Sequence, residues 1–296
     1  MAGRAPEGDG RMDLATDTQQ LAPAIASDEA AADDHRVGWE RSPAVLKAAT
    51  LLDILSRHRR PLGVSELARL AGIPKSSAHS LLATLATAGL TYRLNSTREY
   101  VLGSGVLGLA SRFLDGDALN ELFMDAAREF INETGEVVQM GRLEGTHVVY
   151  VARLEGSRAI QLASRVGTRI PASTTAMGKA ALSMLPDEEI AYRYRGVRTL
   201  PVMTHRSIRT LQGLMAEVQQ VRARGGLAVD DEESGLGLRC FGVPLFQVTG
   251  LCYGASTTLT ATGHTRAEED AIAAALHRLR ERVVANRPLS ASGELG

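Results

Sequence analysis

The 296-residue chain has only two cysteines, Cys240 and Cys252. They form neither a disulfide framework nor a metal-binding spacing. No apolar run reaches membrane-spanning length, and the opening MAGRAPEGDGRMDL lacks the apolar stretch of a secretory signal. These absences point to a reducing cytoplasm and away from membrane-inserted or secreted classes. No internal repeat is visible. The seven histidines are scattered, with no Ser–His–Asp arrangement and no metal-ligand spacing. We therefore expect no catalytic residue, no metal site and no cofactor. A phosphate loop is missing too. Gly178–Lys179 suggests one, but G-x-x-x-x-G-K-[ST] would need a glycine where Ser173 stands and a hydroxyl where Ala180 stands.

The length suits two domains, each with its own core. Net charge is close to zero, yet charge is segregated. Residues 1–40 carry three basic and nine acidic residues, and residues 41–115 carry ten and four. The remainder is nearly balanced. A single basic module in a neutral chain suggests that one module meets a polyanion and another does not. Residues 1–40 lack a helical apolar stripe and read as a disordered acidic tail.

From Pro43 the pattern is helical, with Pro43 at the first turn and Ser42 a candidate cap. The segment VSELARLAGIPKSSAHSLLATLATAGL (64–90) reads as two short helices joined at Gly72, a helix-turn-helix, with Ser65 capping the first. Leu67, Ala68, Leu70, Ile73, Ala78, Leu81, Leu82 and Leu85 point inward. Lys75, Ser76, Ser77, His79, Ser80 and Thr84 point outward. Such short hydrogen-bonding side chains suit a helix in the major groove, although a polar face also suits any exposed helix. GLTYRLNSTREYVLG (89–103) then reads as a hairpin, hence a wing, with Arg93 and Arg98 near the phosphate backbone and Tyr100 and Leu102 packing back.

Helices are expected at 107–113 and 118–132. The second has an apolar stripe of Leu119, Leu122, Phe123, Ala126, Phe130 and Ile131, which fits a domain's own core or a dimer seam. A hairpin turns at Glu144–Gly145, and another strand is expected over 159–167. Helices follow at about 174–184, 187–193 and 207–224. Strands are expected near 227–230, 238–246 and 250–259, with a last helix at 265–285. Hairpins mixed with helices predict an α+β fold with a mainly antiparallel sheet.

Within ASTTAMGKAALSML (172–185), Ser173, Thr174 and Thr175 offer hydroxyls at a helix start, and Gly178 is bare. The segment suits a carboxylate at a helix N-terminus or a capped core helix. Lys179 could neutralise a bound anion or stand solvated one position past the pocket; because it points away from Gly178 on the helix, it reads as a solvated neighbour.

The winged helix, PASTTAMGKAAL and DDEESGLGLRCFGVPLF together resemble the IclR (isocitrate lyase regulator) family of bacterial transcription factors, from about Ser42 to Val284. The resemblance implies a winged-helix domain (41–103), a linker helix (104–120) and a GAF-like α/β effector domain (121–287), with tails at 1–40 and 288–296. It implies homodimers or homotetramers on palindromic operator DNA, mostly repressing, and no membrane partner. Effectors would be small metabolites, often carboxylates. By position, it places Gly178, Asp230, Cys240, Ser256 and Thr258 at the effector, with Thr175 and Met177 beside Gly178. The second hydroxyl departs from the family's more familiar Ser-x-Ser. A rival class is a GAF-domain enzyme that reduces free methionine sulfoxide, for which Cys240 and Cys252 would be catalytic.

Overall fold

The computed structural model describes residues 42–58, 60–115, 118–158, 164–248 and 250–286. The expected acidic tail (1–40) and terminal tail (288–296) lie outside the described residues. Helix α1 (Pro43–Arg57) starts at Pro43, whose missing N–H costs nothing in a first turn. Ser42 precedes it, but its hydroxyl makes no cap hydrogen bond. The expectation for Ser65 is also corrected. Helix α2 (Val64–Leu70) is preceded by Gly63 in extended conformation, which puts Ser65 inside the first turn. Gly72 takes a φ of +65°, the left-handed turn that leads into α3 (Lys75–Thr87).

The hairpin β1 (Thr91–Arg93) and β2 (Tyr100–Leu102) follows, with Thr91 opposite Leu102. Leu62 bridges to Tyr100, and Thr91 Oγ1 donates to the Leu82 carbonyl, so the wing is tied to both flanks of the helices. Leu51, Leu55, Leu62, Leu67, Leu82 and Tyr100 form this unit's core. Ile73 and Leu81 pack at its edge, half-buried. A Cβ on Gly103 would fall within 3.0 Å of the Gly89 backbone, so the chain leaving the wing can pass there only as glycine.

Helices α4 (Gly105–Asp115) and α5 (Ala118–Thr134) come next. The α5 stripe is core: Leu119, Phe123, Ala126 and Phe130 pack with α9 (Arg266–Ala285) through Ile272, Leu276 and Leu279. Both helices cover one face of a six-stranded sheet. Its strands are β3 (Val138–Glu144), β4 (His147–Leu154), β5 (Arg169–Pro171), β6 (Ala228–Asp231), β7 (Leu238–Val248) and β8 (Leu251–Thr260). The order is β5-β4-β3-β8-β7-β6, every neighbouring pair antiparallel.

Alternation along the strands separates the two faces. Phe241 and Val243 point to α5 and α9, while Cys240 and Gly242 point the other way. The second face is covered by α6 (Ala176–Leu182), α7 (Asp187–Arg193) and α8 (Leu211–Ala223). Helices on both faces of an antiparallel sheet make the C-terminal half an α+β unit.

Two expected elements move. Residues 159–163 lie outside the described residues, and the described remainder of that expected strand, 164–167, is irregular chain and turn; the paired strand is Arg169–Pro171. The helix expected from 207 starts at Leu211, because Thr210 accepts a hydrogen bond from the Gly213 N–H and fixes the cap there.

Candidate nucleic-acid interface and effector site

Helix α3 anchors itself by Ala78, Leu82 and Leu85, all buried. Its opposite face leaves Lys75, Ser76, His79, Ser80 and Thr84 exposed. Ser77 is half-buried, at the border between faces. Thr84 donates its hydroxyl to the Ser80 carbonyl one turn back. His79, Ser80, Ala83, Thr84 and Thr87 line a shallow open groove along the helix.

On the wing, Arg93 and Arg98 are both exposed. Arg93 Nε donates to the Arg98 carbonyl at 3.3 Å, and its guanidinium lies 5.8 Å from the centre of the Tyr100 ring. These contacts hold the Arg93 stem against the hairpin. Arg98 takes a φ of +62° at the turn. Arg69, on the exposed side of α2, adds a cation that the sequence reading did not single out.

The second site is built on the α6 face of the sheet. Strand pairing sets Asp230 opposite Cys240 and Cys240 opposite Thr258. The adjacent row runs Gly242, Ser256, Gln139, Arg153. Asp230, Cys240, Ser256 and Thr258, named from the sequence, therefore share one sheet face, and all four are buried. The Cys240 thiol donates to Thr258 Oγ1 at 3.4 Å. Burial and the neighbouring Asp230 push that thiol well above its ordinary pKa.

The Asp230 carboxylate is largely committed. It accepts from the Glu233 N–H at 2.7 Å, the Ser234 N–H at 3.2 Å and the Ser234 hydroxyl at 2.5 Å. It therefore closes the 230–234 turn and keeps about one of its four lone-pair positions for another donor. Burial raises its pKa, and those three bonds oppose the rise.

Helix α6 lies across Gly242, where a Cβ would meet the Ala176–Met177 backbone. Thr175 caps the helix by accepting from the Gly178 N–H at 2.9 Å. Met177 is a core side chain, lying over Gly141 and Gly254. A Cβ on Gly178 would fall within 3.0 Å of the Ala172 backbone. Close packing of the chain onto itself thus gives a reason for Gly178 that requires no ligand.

Lys179 corrects the sequence reading outright. It is not solvated but fully buried. Its Nζ donates to the Val229 carbonyl at 2.6 Å and to Glu233 Oε1 at 2.5 Å. Glu217 lies 3.9 Å away. The sign of this burial was hidden because both main partners stand about fifty residues downstream.

Residues 44–94 match the IclR helix-turn-helix domain, and residues 113–285 match the C-terminal domain of the bacterial transcriptional regulator IclR. The chain belongs to the IclR family of bacterial transcriptional regulators. The transcriptional repressor IclR of Escherichia coli K12 is 25% identical over 205 residues, covering 69% of this chain and 74% of that protein. The Pca regulon regulatory protein of Pseudomonas putida is 29% identical over 227 residues, covering 76% and 77%.

Among solved IclR-family structures, the Thermotoga maritima IclR is 27% identical, with a TM-score of 0.65 over 81% of this chain and 97% of that one. An IclR homolog of Microbacterium hydrocarbonoxydans, crystallised with 4-hydroxybenzoate, shares the fold at 18% identity, with a TM-score of 0.66 over 82% and 98%. Among the described residues no helix is long and apolar enough to cross a membrane.

Proposed function

We propose that this IclR-family protein is a ligand-responsive repressor that binds palindromic operator DNA as a homodimer or homotetramer. Helix α3 enters the major groove through Lys75, Ser76, Ser77, His79, Ser80 and Thr84, and the wing holds backbone phosphates through Arg93 and Arg98. A small organic acid binds the polar sheet face near Thr175, Met177, Gly178, Asp230, Cys240, Ser256 and Thr258. It favours one arrangement of the DNA-binding units over another. The protein works in the cytoplasm and catalyses no reaction.

One observation carries this reading: α3 is anchored on one side by Ala78, Leu82 and Leu85 while its polar side is left to solvent next to a basic wing. A neighbour of the same fold has been crystallised with an aromatic hydroxy acid, which is compatible with an acid effector. The methionine sulfoxide reductase reading is disfavoured by the thiols. A catalytic cysteine needs a lowered pKa and access. Cys240 and Cys252 are both buried, and burial raises both.

The test is selection of bound sequences from a random duplex library. Wild-type protein should recover one palindromic site. The triple variant Lys75→Ala, His79→Ala, Ser80→Ala should bind that site at least about tenfold more weakly, on the scale of one lost base contact or more. An unchanged footprint and affinity in the folded variant would remove α3 from the interface.

A further inference from the structure

The row next to Asp230–Cys240–Thr258 contains a cation that the proposed effector site has so far left unused. Arg153 on β4 pairs in register with Gln139 on β3, and Gln139 with Ser256 on β8. All three side chains therefore project from the face that carries Cys240 and Thr258. Gln139 and Ser256 are buried, and the Arg153 side chain is only 12% exposed.

A guanidinium this largely enclosed has five N–H donors to satisfy. Arg153 Nη1 donates to the Ser164 carbonyl and Nη2 to Glu155 Oε1 at 3.0 Å. Its Nε is enclosed and has no hydrogen-bond partner among the described residues. Glu155 itself is 69% exposed, so its hold on the guanidinium is that of a solvated surface pair. Gln139 Nε2 is turned toward the same segment, donating to Ser164 Oγ at 2.9 Å. A buried donor without a partner is costly enough to call for a ligand or another explanation.

Tyr150, also on β4, stands opposite Gly141 and shares this face. Its hydroxyl is raised well above the ordinary tyrosine pKa, first by burial and then by Cys240 and Asp230, while Arg153 opposes the rise. It therefore lies within electrostatic reach of both the acidic and the basic end, and it stays a neutral donor.

We propose that Arg153, with Gln139 and Ser256, is the carboxylate-binding end of the effector site, and that the Cys240–Thr258–Asp230 end receives a hydroxyl or keto group on the same molecule. The inference rests on the reading of this face as the effector site. It adds to that reading a cation for the acid group, because the face is cationic at one end and acidic and hydroxyl-bearing at the other. Arg153 recognises the carboxylate through a charge-assisted bond, and Glu155 competes with the ligand for the guanidinium.

The experiment is a thermal-shift and calorimetric comparison on the full chain. Its probes are 4-hydroxybenzoate and a set of short hydroxy and keto acids, each matched with its neutral amide. At least one acid should raise the wild-type Tm while its amide does not. Arg153→Gln should weaken that acid about tenfold or more and leave the weak amide binding unchanged, the size expected for loss of one charge-assisted bond. Arg153→Lys should fall between.

Glu155→Gln, at an exposed position that should not disturb folding, should bind the acid about two- to fivefold tighter by freeing the guanidinium. That variant keeps the inference testable even if Arg153→Gln fails to fold. Acid binding that is unchanged in both Arg153→Gln and Glu155→Gln would overturn the role of Arg153 and leave the effector reading standing. Binding of amides in preference to acids would overturn the ligand class. No shift with any probe would bring down the organic-acid reading along with the inference.

Discussion

At the scale of single residues, Gly178 shows how one position can be read in two ways. In the sequence, a bare glycine beside hydroxyls at a helix start looks like room for a ligand. In the fold, its missing Cβ is displaced by the backbone of Ala172, inside 3.0 Å. Two effects oppose each other in Gly178→Ala. Helix propensity favours alanine by about 1 kcal/mol. The overlap is with backbone, which cannot rotate away, and overpacking of this kind costs about 1–3 kcal/mol and occasionally more. We expect the clash to win, so that Gly178→Ala lowers unfolding free energy by about 1–2 kcal/mol without any ligand, as urea denaturation would measure. If apo stability is unchanged or higher and only the acid response is lost, the glycine serves the ligand and not the packing.

At the scale of elements, α6 is the least typical helix of the molecule. All seven of its residues are buried, and one is a lysine. The Lys179–Glu233 pair ties this helix to the turn that Asp230 closes. Burial pushes the Glu233 carboxyl up to about 7 from its ordinary 4.5, against the pull of Lys179. The folded chain therefore holds that proton more tightly than the unfolded chain does. Its stabilising contribution is complete below pH 4.5 and is lost as pH rises through 7. Lys179→Met keeps the length of the side chain but strands the carboxylate, at a cost of about 3–5 kcal/mol at pH 8. At pH 5 the stranded Glu233 can be protonated, and the cost should be clearly smaller. Chemical denaturation of both proteins at the two pH values measures the difference, and an equal loss at both would show that charge is not what the pair contributes. The elements themselves were largely legible because their signals are local. Gly72 needs a left-handed φ, Pro43 marks a first turn, and Phe241 and Val243 alternate with Cys240 and Gly242. The proposed effector face was legible only in part. Lys179 meets Glu233 across 54 residues, and Arg153, Gln139 and Ser256 come together only through strand register. No local pattern marks either set.

At the scale of the whole molecule, the segregation of charge in the sequence becomes a division of labour. The basic residues of 41–115 include Lys75, Arg93 and Arg98, exposed on helix α3 and the wing. In the C-terminal half, cations are largely paired within the fold: Arg239 with Asp231 and Glu269, Arg222 with Asp187, Lys179 with Glu233. Binding to any duplex should then depend on salt mainly through the N-terminal unit, since each neutralised phosphate releases counterions and contributes about −0.9 to the slope of log K against log salt. The double variant Arg93→Gln, Arg98→Gln should reduce the magnitude of that slope on random-sequence duplex by about 1.8 if both guanidiniums lie on phosphates. Arg93 already gives its Nε to the Arg98 carbonyl, so its contact would use the outer nitrogens of the fork, and glutamine at that position cannot replace them. Fluorescence anisotropy from 50 to 300 mM salt gives the slope directly, independent of the operator sequence. An unchanged slope would place the wing off the backbone and leave α3 and its flanking residues, Arg69 among them, as the source of the electrostatic hold.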